Sequence, residues 1–384
     1  MSRTKRAQAP LITLVLLGAV VASACLGTSD PVTVIRIPDG GRMPQVSVDL
    51  DGMTHLIYYR GPMTGGDLLY ASRTHGATEW STPVRVNSEP HSAIGMGPMD
   101  GGDMALGQGP TDGRRLHVVW FLNNPLRFIY TRSTEDGSGF EPQRVLLQRD
   151  DEIAEARPSV TTDGDGRVFI AWHGATVENA DDAHRAVFLM TSHDGGDSFG
   201  SPRMISRQSE GACGCCSLET LATNDAVSVS YRGAGENVRR GQHLLRSTDG
   251  GQVFVDSVIQ PWSIGACPVT TTTFARGPGA TRVAWETQGQ VYFASIDNMT
   301  DAVSPGGEAR FRQKNPVIAI NQSGETLLAW GDAPGYRAGG TLNWQLFDAD
   351  NRPLSEPGPG TDTIPSGSTP AIAVQPDGQF VVMF

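Results

Sequence analysis

Arg157-Pro158-Ser159-Val160-Thr161-Thr162-Asp163-Gly164-Asp165-Gly166-Arg167-Val168-Phe169-Ile170-Ala171-Trp172 sets two short runs of alternating apolar residues on either side of an Asp/Gly turn. That is the pattern of a β-hairpin. Beyond a polar loop, Gly174 to Arg185, the chain goes out again from Ala186 to Thr191. It turns through Ser192-His193-Asp194-Gly195-Gly196-Asp197-Ser198-Phe199 and closes with Arg203-Met204-Ile205-Ser206. About fifty residues thus hold four strands, and a unit of that size invites a search for copies.

The turn octet recurs. Ser247, Asp249, Gly251 and Phe254 occupy the positions of Ser192, Asp194, Gly196 and Phe199; Ser133 to Phe140 is a third copy with Glu135 in the acidic position, and Ser72 to Trp80 is a degenerate fourth. The spacing has a physical reason. A short acidic side chain accepts the backbone N–H groups of the turn, glycine supplies a positive φ, and the aromatic ring packs beneath the hairpin. The octet resembles the Asp-box, or bacterial neuraminidase repeat, of sialidase-like β-propellers, and four copies at intervals of about sixty residues support it.

Counting strand openings extends the repeat to the whole chain. Met43-Pro44, Gly97-Pro98, Arg157-Pro158, Cys267-Pro268, Asn315-Pro316 and Thr369-Pro370 each place proline near the start of a strand, with Cys216-Ser217 as a copy lacking it. Proline is tolerated there because no ladder donor is needed. The matching return strands end on Tyr59, Trp120, Trp172, Tyr231, Trp285, Trp330 and Phe384, aromatics suited to packing between neighbouring sheets. The second opening passes through Gly101 to Gly113 before its return strand. The seventh hairpin, Ala371 to Phe384, stops after two strands, and the strand near Ile35 has no hairpin of its own; pairing the two closes a ring. The fold expected over residues 32–384 is a single all-β propeller of four-stranded blades with seven blades, whereas the sialidase resemblance implies six.

The 384 residues carry 46 glycines, 25 prolines and a net charge of −11. Such an acidic balance argues against nucleic acid and against anionic membrane bound through a basic patch. Residues 1–24 join a basic start (Arg3, Lys5, Arg6) to an apolar run, Leu11 to Val21, and to Ala22-Ser23-Ala24, the build of a signal peptide. Cys25 then resembles the acylated first residue of a bacterial lipoprotein, with Ala22 where that motif has leucine, and 25–31 would be the lipidated linker; ordinary cleavage after Ala24 fits the same residues. The expectation is an exported monomer in the bacterial cell envelope, touching membrane only through its anchor.

A propeller's first strands begin, and its second strands end, at one mouth of the central channel, so the octet turns belong to the opposite face and are scaffold. The mouth collects Arg42, Met43, Arg60, Asp67, Met96, Met99, Phe121, Arg157, His173, Arg232, Glu286 and Asp332, and with them Cys213, Cys215, Cys216 and Cys267. Guanidinium groups around one mouth suit a carboxylate or sulfate. In the sialidase resemblance, Arg42-Met43-Pro44 is similar to the Arg-Ile-Pro motif whose arginine grips the substrate carboxylate, Arg60 to the arginine that follows, Asp67 to the acid/base aspartate, and Arg232 to a second arginine of the triad. A third arginine, the glutamate (by spacing, near Cys216) and the nucleophilic tyrosine are not matched. The function implied is therefore binding of a glycan or small anionic ligand without full sialidase catalysis, with a working exo-sialidase or related glycoside hydrolase as one alternative. The stretch Gly211 to Phe293, with Ala212-Cys213-Gly214-Cys215-Cys216 and Ala266-Cys267-Pro268, resembles secreted bacterial propellers commonly labelled sialidase-like. Its four cysteines admit two readings: disulfides, with Cys267 joined to Cys215 or Cys216 and a second bond across Cys213, or a copper or zinc site, since soft sulfur selects those ions.

Overall fold

The computed structural model describes residues 30–108, 114–306, 313–332, 339–358, 360 and 362–384. The segment expected to be a signal peptide, and Cys25, lie outside them. Seven antiparallel hairpin sheets follow one another along the chain. The third is the stretch that opened the sequence reading: Ser159–Thr162, Val168–Ala175, Arg185–Ser192 and Arg203–Met204, hydrogen-bonded in that order. Among the described residues the first five sheets have four strands each, the sixth has three, and the seventh pairs Ala371–Val374 with Phe380–Met383. Val32–Ile35 completes the seventh by lying parallel to Phe380–Met383, with Val32 opposite Phe380 and Ile35 opposite Met383. The blade count expected from the hairpins holds, and the strand without a hairpin is the ring closure.

The first strands of successive blades contact one another all the way round, from Arg42–Val48 to Ala371–Val374 and back. They therefore line the channel. The aromatic strand ends are buried between blades: Tyr59, Trp120, Trp172, Tyr231, Trp285, Trp330 and Phe384 all lie in the core. One interblade cluster joins Phe121, Phe128 and Tyr130 of the second blade to Val160, Ile170 and Trp172 of the third. At about 25 cal/mol per Å² of apolar surface removed from water, such seams dominate the stability of the ring. In the second blade the opening at Gly97-Pro98 is a turn, and the first strand is Gly102–Gln108, inside the segment the sequence left as a connection. Its glycines weaken the β signal, but its residues alternate between the neighbouring blades, Met104 packing in the cluster shared with the first blade and Ala105 in that shared with the third.

The octet turns sit between third and fourth strands as expected. Ser192 Oγ donates to Asp194 Oδ1 at 2.6 Å, and Asp194 in turn accepts the Ser198 N–H at 2.9 Å; Gly196 N donates to Ser192 Oγ at 2.8 Å. Ser247, Asp249 and Gly251 repeat this geometry. Gly196 has φ +87°, and a Cβ there would strike the Tyr130 hydroxyl of the preceding blade. Phe199 packs edge-on against the same Tyr130, 5.1 Å between centroids, so the octet staples two blades together. The third copy is shifted by one residue: Asp136, not Glu135, accepts from Thr134 Oγ1 at 2.6 Å and from Ser138 N at 3.1 Å. The shorter acid reaches its own turn, and the longer one does not. Replacing Asp194 with alanine should lower stability by about 1 kcal/mol through lost turn hydrogen bonds and leave ligand binding untouched. A binding defect at unchanged melting temperature would show that this face, and not the other, carries the site.

Candidate functional site at the channel mouth

Arg42 opens the first strand of the first blade. Its guanidinium lies over the Tyr59 ring, 5.3 Å from the centroid, and its Nη atoms reach the carbonyls of Ser366 and Gly61 at 3.5 Å. Among the described residues no carboxylate lies within ion-pair distance of it. Gly367 of the seventh blade (φ +70°) comes up beside Arg42 and the Met96 carbonyl, so the corner between first and seventh blades is walled by backbone. Arg60 ends the second strand, is exposed, and pairs with Asp39 at 3.6 Å. Asp67 is occupied: its Oδ1 accepts from Asn87 Nδ2 and from the His91 N–H, both at 2.7 Å, which ties down the loop between the first and second blades.

Arg232 is at the core, 1% exposed. It donates to the Arg240 carbonyl at 2.8 Å and to the Glu286 carbonyl, lies 4.0 Å from the Glu286 carboxylate, and stacks on Trp262. Glu286 is equally buried and accepts the Gly289 N–H at 2.5 Å. Arg42 and Arg232 thus belong to different clusters and share no partner. Arg157 lies buried in the channel wall, its Nη1 3.5 Å from the Asp100 carbonyl. Beside it the structure places two acids that the sequence reading missed. Asp103 accepts the Val160 N–H at 2.7 Å, and its carboxyl is pushed up by burial against the pull of Arg157. Glu219 is pushed well up by burial and by Asp103. Both belong to first strands, where register alone aims alternate residues into the channel.

His173 lies two residues before the end of the third blade's second strand and is buried. Burial, with Arg185 alongside, lowers its pKa to about 3, so the ring is neutral, and its Nε2 has no hydrogen-bond partner among the described residues. It stands near the cysteine cluster. Cys215 and Cys267 form a disulfide, and Cys213 and Cys216 are free and buried. Cys267 is exposed, whereas the other three are not. The bond expected from Cys267 is present, with Cys215 as its partner. The second expected bond is not formed: Cys213 donates to Cys216 across 3.5 Å. That hydrogen bond raises the Cys213 thiol well above its usual value. Burial pushes the Cys216 thiol up, but the Cys213 donor and Arg232 outweigh it and bring it to about 7.

The loop that carries these cysteines is held from outside. Asp182, on the long third-blade loop, accepts the Gly214 N–H at 3.1 Å and Arg240 Nη1 at 2.8 Å, and its backbone carbonyl takes the Ala212 N–H at 3.0 Å. Arg185 runs beneath Gly214, where any Cβ would collide with the guanidinium. Lys314 of the sixth blade holds the Cys267 loop by donating to the Pro268 carbonyl at 2.6 Å. A cavity of about 200 Å³ opens against Cys215, and Met96, Met99, Phe121, Asn123 and Glu155 line it. Met43, which the sequence set at the same mouth, is instead buried between blades with its sulfur against Gly101.

No family model matches the chain, and no curated protein matches it. Among solved structures it is similar to the α-L-arabinanase of Penicillium chrysogenum complexed with arabinobiose, at 10% identity and a TM-score of 0.52 over 82% of this chain and 95% of that one. It is also similar to a polysaccharide lyase, the PL25 ulvan lyase, at 11% identity and 0.49 over 81% and 80% of the two chains. A Hadza microbial sialidase stands at 10% identity and 0.47, over 81% of this chain and 66% of its own. At such identities a likeness carries architecture and not chemistry. What the ring itself establishes, with the arabinanase likeness beside it, is a fold: the chain is a seven-bladed β-propeller.

Proposed function

We propose that this chain is an exported, lipid-anchored propeller that binds a small anionic group, such as the carboxylate or sulfate of a glycan, at the Arg42 corner of its channel mouth, without sialidase hydrolysis. The observation that carries the reading is Arg42 itself: a half-buried guanidinium set over an aromatic ring, satisfied only by two long carbonyl contacts and free of any acidic partner among the described residues. A guanidinium so placed keeps donors for a bidentate anion. Hydrolysis is disfavoured because the aspartate that the resemblance casts as acid/base already accepts two short hydrogen bonds, and the second arginine is enclosed with Glu286.

Calorimetric titration with sialyllactose, a sulfated monosaccharide and neutral lactose tests the proposal. The anionic sugars should bind and lactose should not. Arg42→Ala should weaken binding by about 1.5–3 kcal/mol, the worth of a charge-assisted hydrogen bond, with an unchanged melting temperature. Equal binding of all three sugars, or affinity indifferent to Arg42, would sink the anion reading. Robust cleavage of an aryl sialoside that disappears in Asp67→Ala would establish the hydrolase instead.

A further inference from the structure

The cysteine cluster shares no hydrogen-bond partner with Arg42 among the described residues and has a geometry of its own. Cys213 Sγ is 3.4 Å from Cys215 Sγ, 3.5 Å from Cys216 Sγ and 3.6 Å from Cys267 Sγ. Four thiolates placed tetrahedrally around zinc, with Zn–S near 2.3 Å, stand about 3.8 Å apart. Cys213 therefore keeps close to metal-site spacing from all three partners, and it groups within 4.8 Å with Cys215 and Cys267; the bonded pair is too close, and Cys216, which meets the group through Cys213, must close in as the bridge opens. We propose that the cluster is a redox-gated site for a thiophilic cation, Zn²⁺ or Cu⁺, shut by the Cys215–Cys267 bridge and opened by a dithiol reductant into a four-thiolate cage.

Access favours this use. Cys267 is exposed while its three neighbours are buried, so a reductant meets the bridge at the surface and the cage forms below it. A thiolate of the dithiol attacks the bridge, a mixed disulfide forms, and the second thiol resolves it. Two electrons and two protons pass to Cys215 and Cys267, and the reductant leaves as its own disulfide. The cation then displaces the four thiol protons with no further electron transfer.

Charge favours it as well. A divalent ion in four thiolates carries a net charge of −2, and the cluster is flanked by cations: Arg240 is close enough to act on Cys213 and Cys216, and Arg185 passes beneath Gly214 between two of the ligands. The Cys213 to Cys216 segment is already fixed, by Asp182 on one side and by the Cys213 N–H donating to the Arg232 carbonyl at 2.9 Å on the other. Ordering the ligands costs little entropy when the ion arrives. An entry path exists too. Met96 and Met99 line the cavity that ends on Cys215, and thioethers pass soft ions without holding hard ones.

The test uses the full chain in two states. Air-oxidised protein, denatured, should titrate two thiols beyond Cys25 and carry no stoichiometric metal after desalting. Reduced with dithiothreitol and desalted without oxygen, it should titrate four thiols beyond Cys25 and retain one Zn²⁺ or one Cu⁺ per chain, and competition between the two ions decides which is held. Co²⁺ added to the reduced form should give the sulfur-to-cobalt charge-transfer band of a tetrahedral thiolate site. Cys213→Ser should weaken binding by more than the roughly 100-fold that loss of a supporting contact costs. Cys267→Ser, which cannot form the bridge but also gives up one ligand, should bind Co²⁺ with no reductant present, more weakly than reduced wild type and more tightly than oxidised wild type, an outcome that stands even where Cys213→Ser does not fold. Reduced protein that shows four thiols yet retains neither ion overturns the site, and equal binding by oxidised and reduced protein overturns the gate.

Discussion

Arg232→Met should cost about 3–5 kcal/mol of stability, because it leaves the Glu286 carboxylate in the core with its cationic neighbour gone. Arg232 and Glu286 are each 1% exposed, and the arginine also ties the carbonyls of Arg240 and Glu286, so one substitution loosens both the fourth and the fifth blade. Urea denaturation with the transition slope held constant reads the effect. The double variant Arg232→Met, Glu286→Gln should recover a large part of the loss, since a neutral amide is less costly to bury than a carboxylate deprived of this guanidinium. The same variant separates the two roles this arginine has been given. A ligand clamp, as the sialidase resemblance implies, would lose anion binding at little cost in stability. A variant of wild-type stability that no longer binds anions would return Arg232 to the site.

Acid should unfold the protein earlier than its carboxylates alone predict. His117 and His173 are buried, and burial lowers each to about 3, with Arg132 adding to it for the first and Arg185 for the second. In the unfolded chain each takes up a proton near pH 6.5, while in the folded protein each stays neutral down to about 3. The unfolded state therefore binds more protons across that window, and stability falls as pH falls through it, by about 1.4 kcal/mol per pH unit for each histidine once pH is well below 6.5. Between pH 7.5 and pH 5 the pair should cost about 4 kcal/mol. Asp136 is lowered to about 2 by the Thr134 and Ser138 hydroxyls and the Ser138 N–H, with the same sign but a window below the usual carboxylate range. Chemical denaturation at half-unit pH steps checks this. His117→Gln and His173→Gln, each compared with wild type at both ends of the range, should flatten the slope by about half apiece. A slope indifferent to both substitutions would place the acid sensitivity elsewhere.

The ring was legible because its information is local. Each hairpin is written in alternation, each turn in Asp, Gly and Asn, and each blade seam in an aromatic at a strand end, so seven blades and the strand at Ile35 follow from short windows of sequence. The second blade's first strand, Gly102–Gln108, escaped because glycines at its start and near its end carry no β preference. At the mouth, position in the topology does not fix employment. Asp67 closes a loop, Arg232 is enclosed, Met43 is buried between blades, and Arg42 keeps donors open. Asp182, Arg185 and Arg240 escaped as members of the cysteine cluster because they come from two loops that meet only in three dimensions. The loops at 174–185 and 233–242 were visible; that their ends converge on Cys213 was not. Asp103 and Glu219 escaped for the reason that hid Gly102–Gln108, since a channel-facing acid is marked only by the register of its strand.

The parallel pairing of Val32–Ile35 with Phe380–Met383 also sets an order of events during synthesis. Val32–Ile35 leaves the ribosome ahead of the rest of the ring yet is the last of its strands to find a ladder partner, because that partner lies at the far end of the ring's sequence. Until then it carries a row of unsatisfied N–H and C=O groups, and so does the growing rim of the array, the kind of edge through which nascent chains associate. Contacts so distant in sequence are also slow to form. A nascent propeller of this design is exposed to aggregation for most of its synthesis, and the hazard ends in one step when the closing ladder forms. Truncations that remove Phe380–Met383 should therefore yield aggregates in place of a smaller ring, although they delete only a few residues of core.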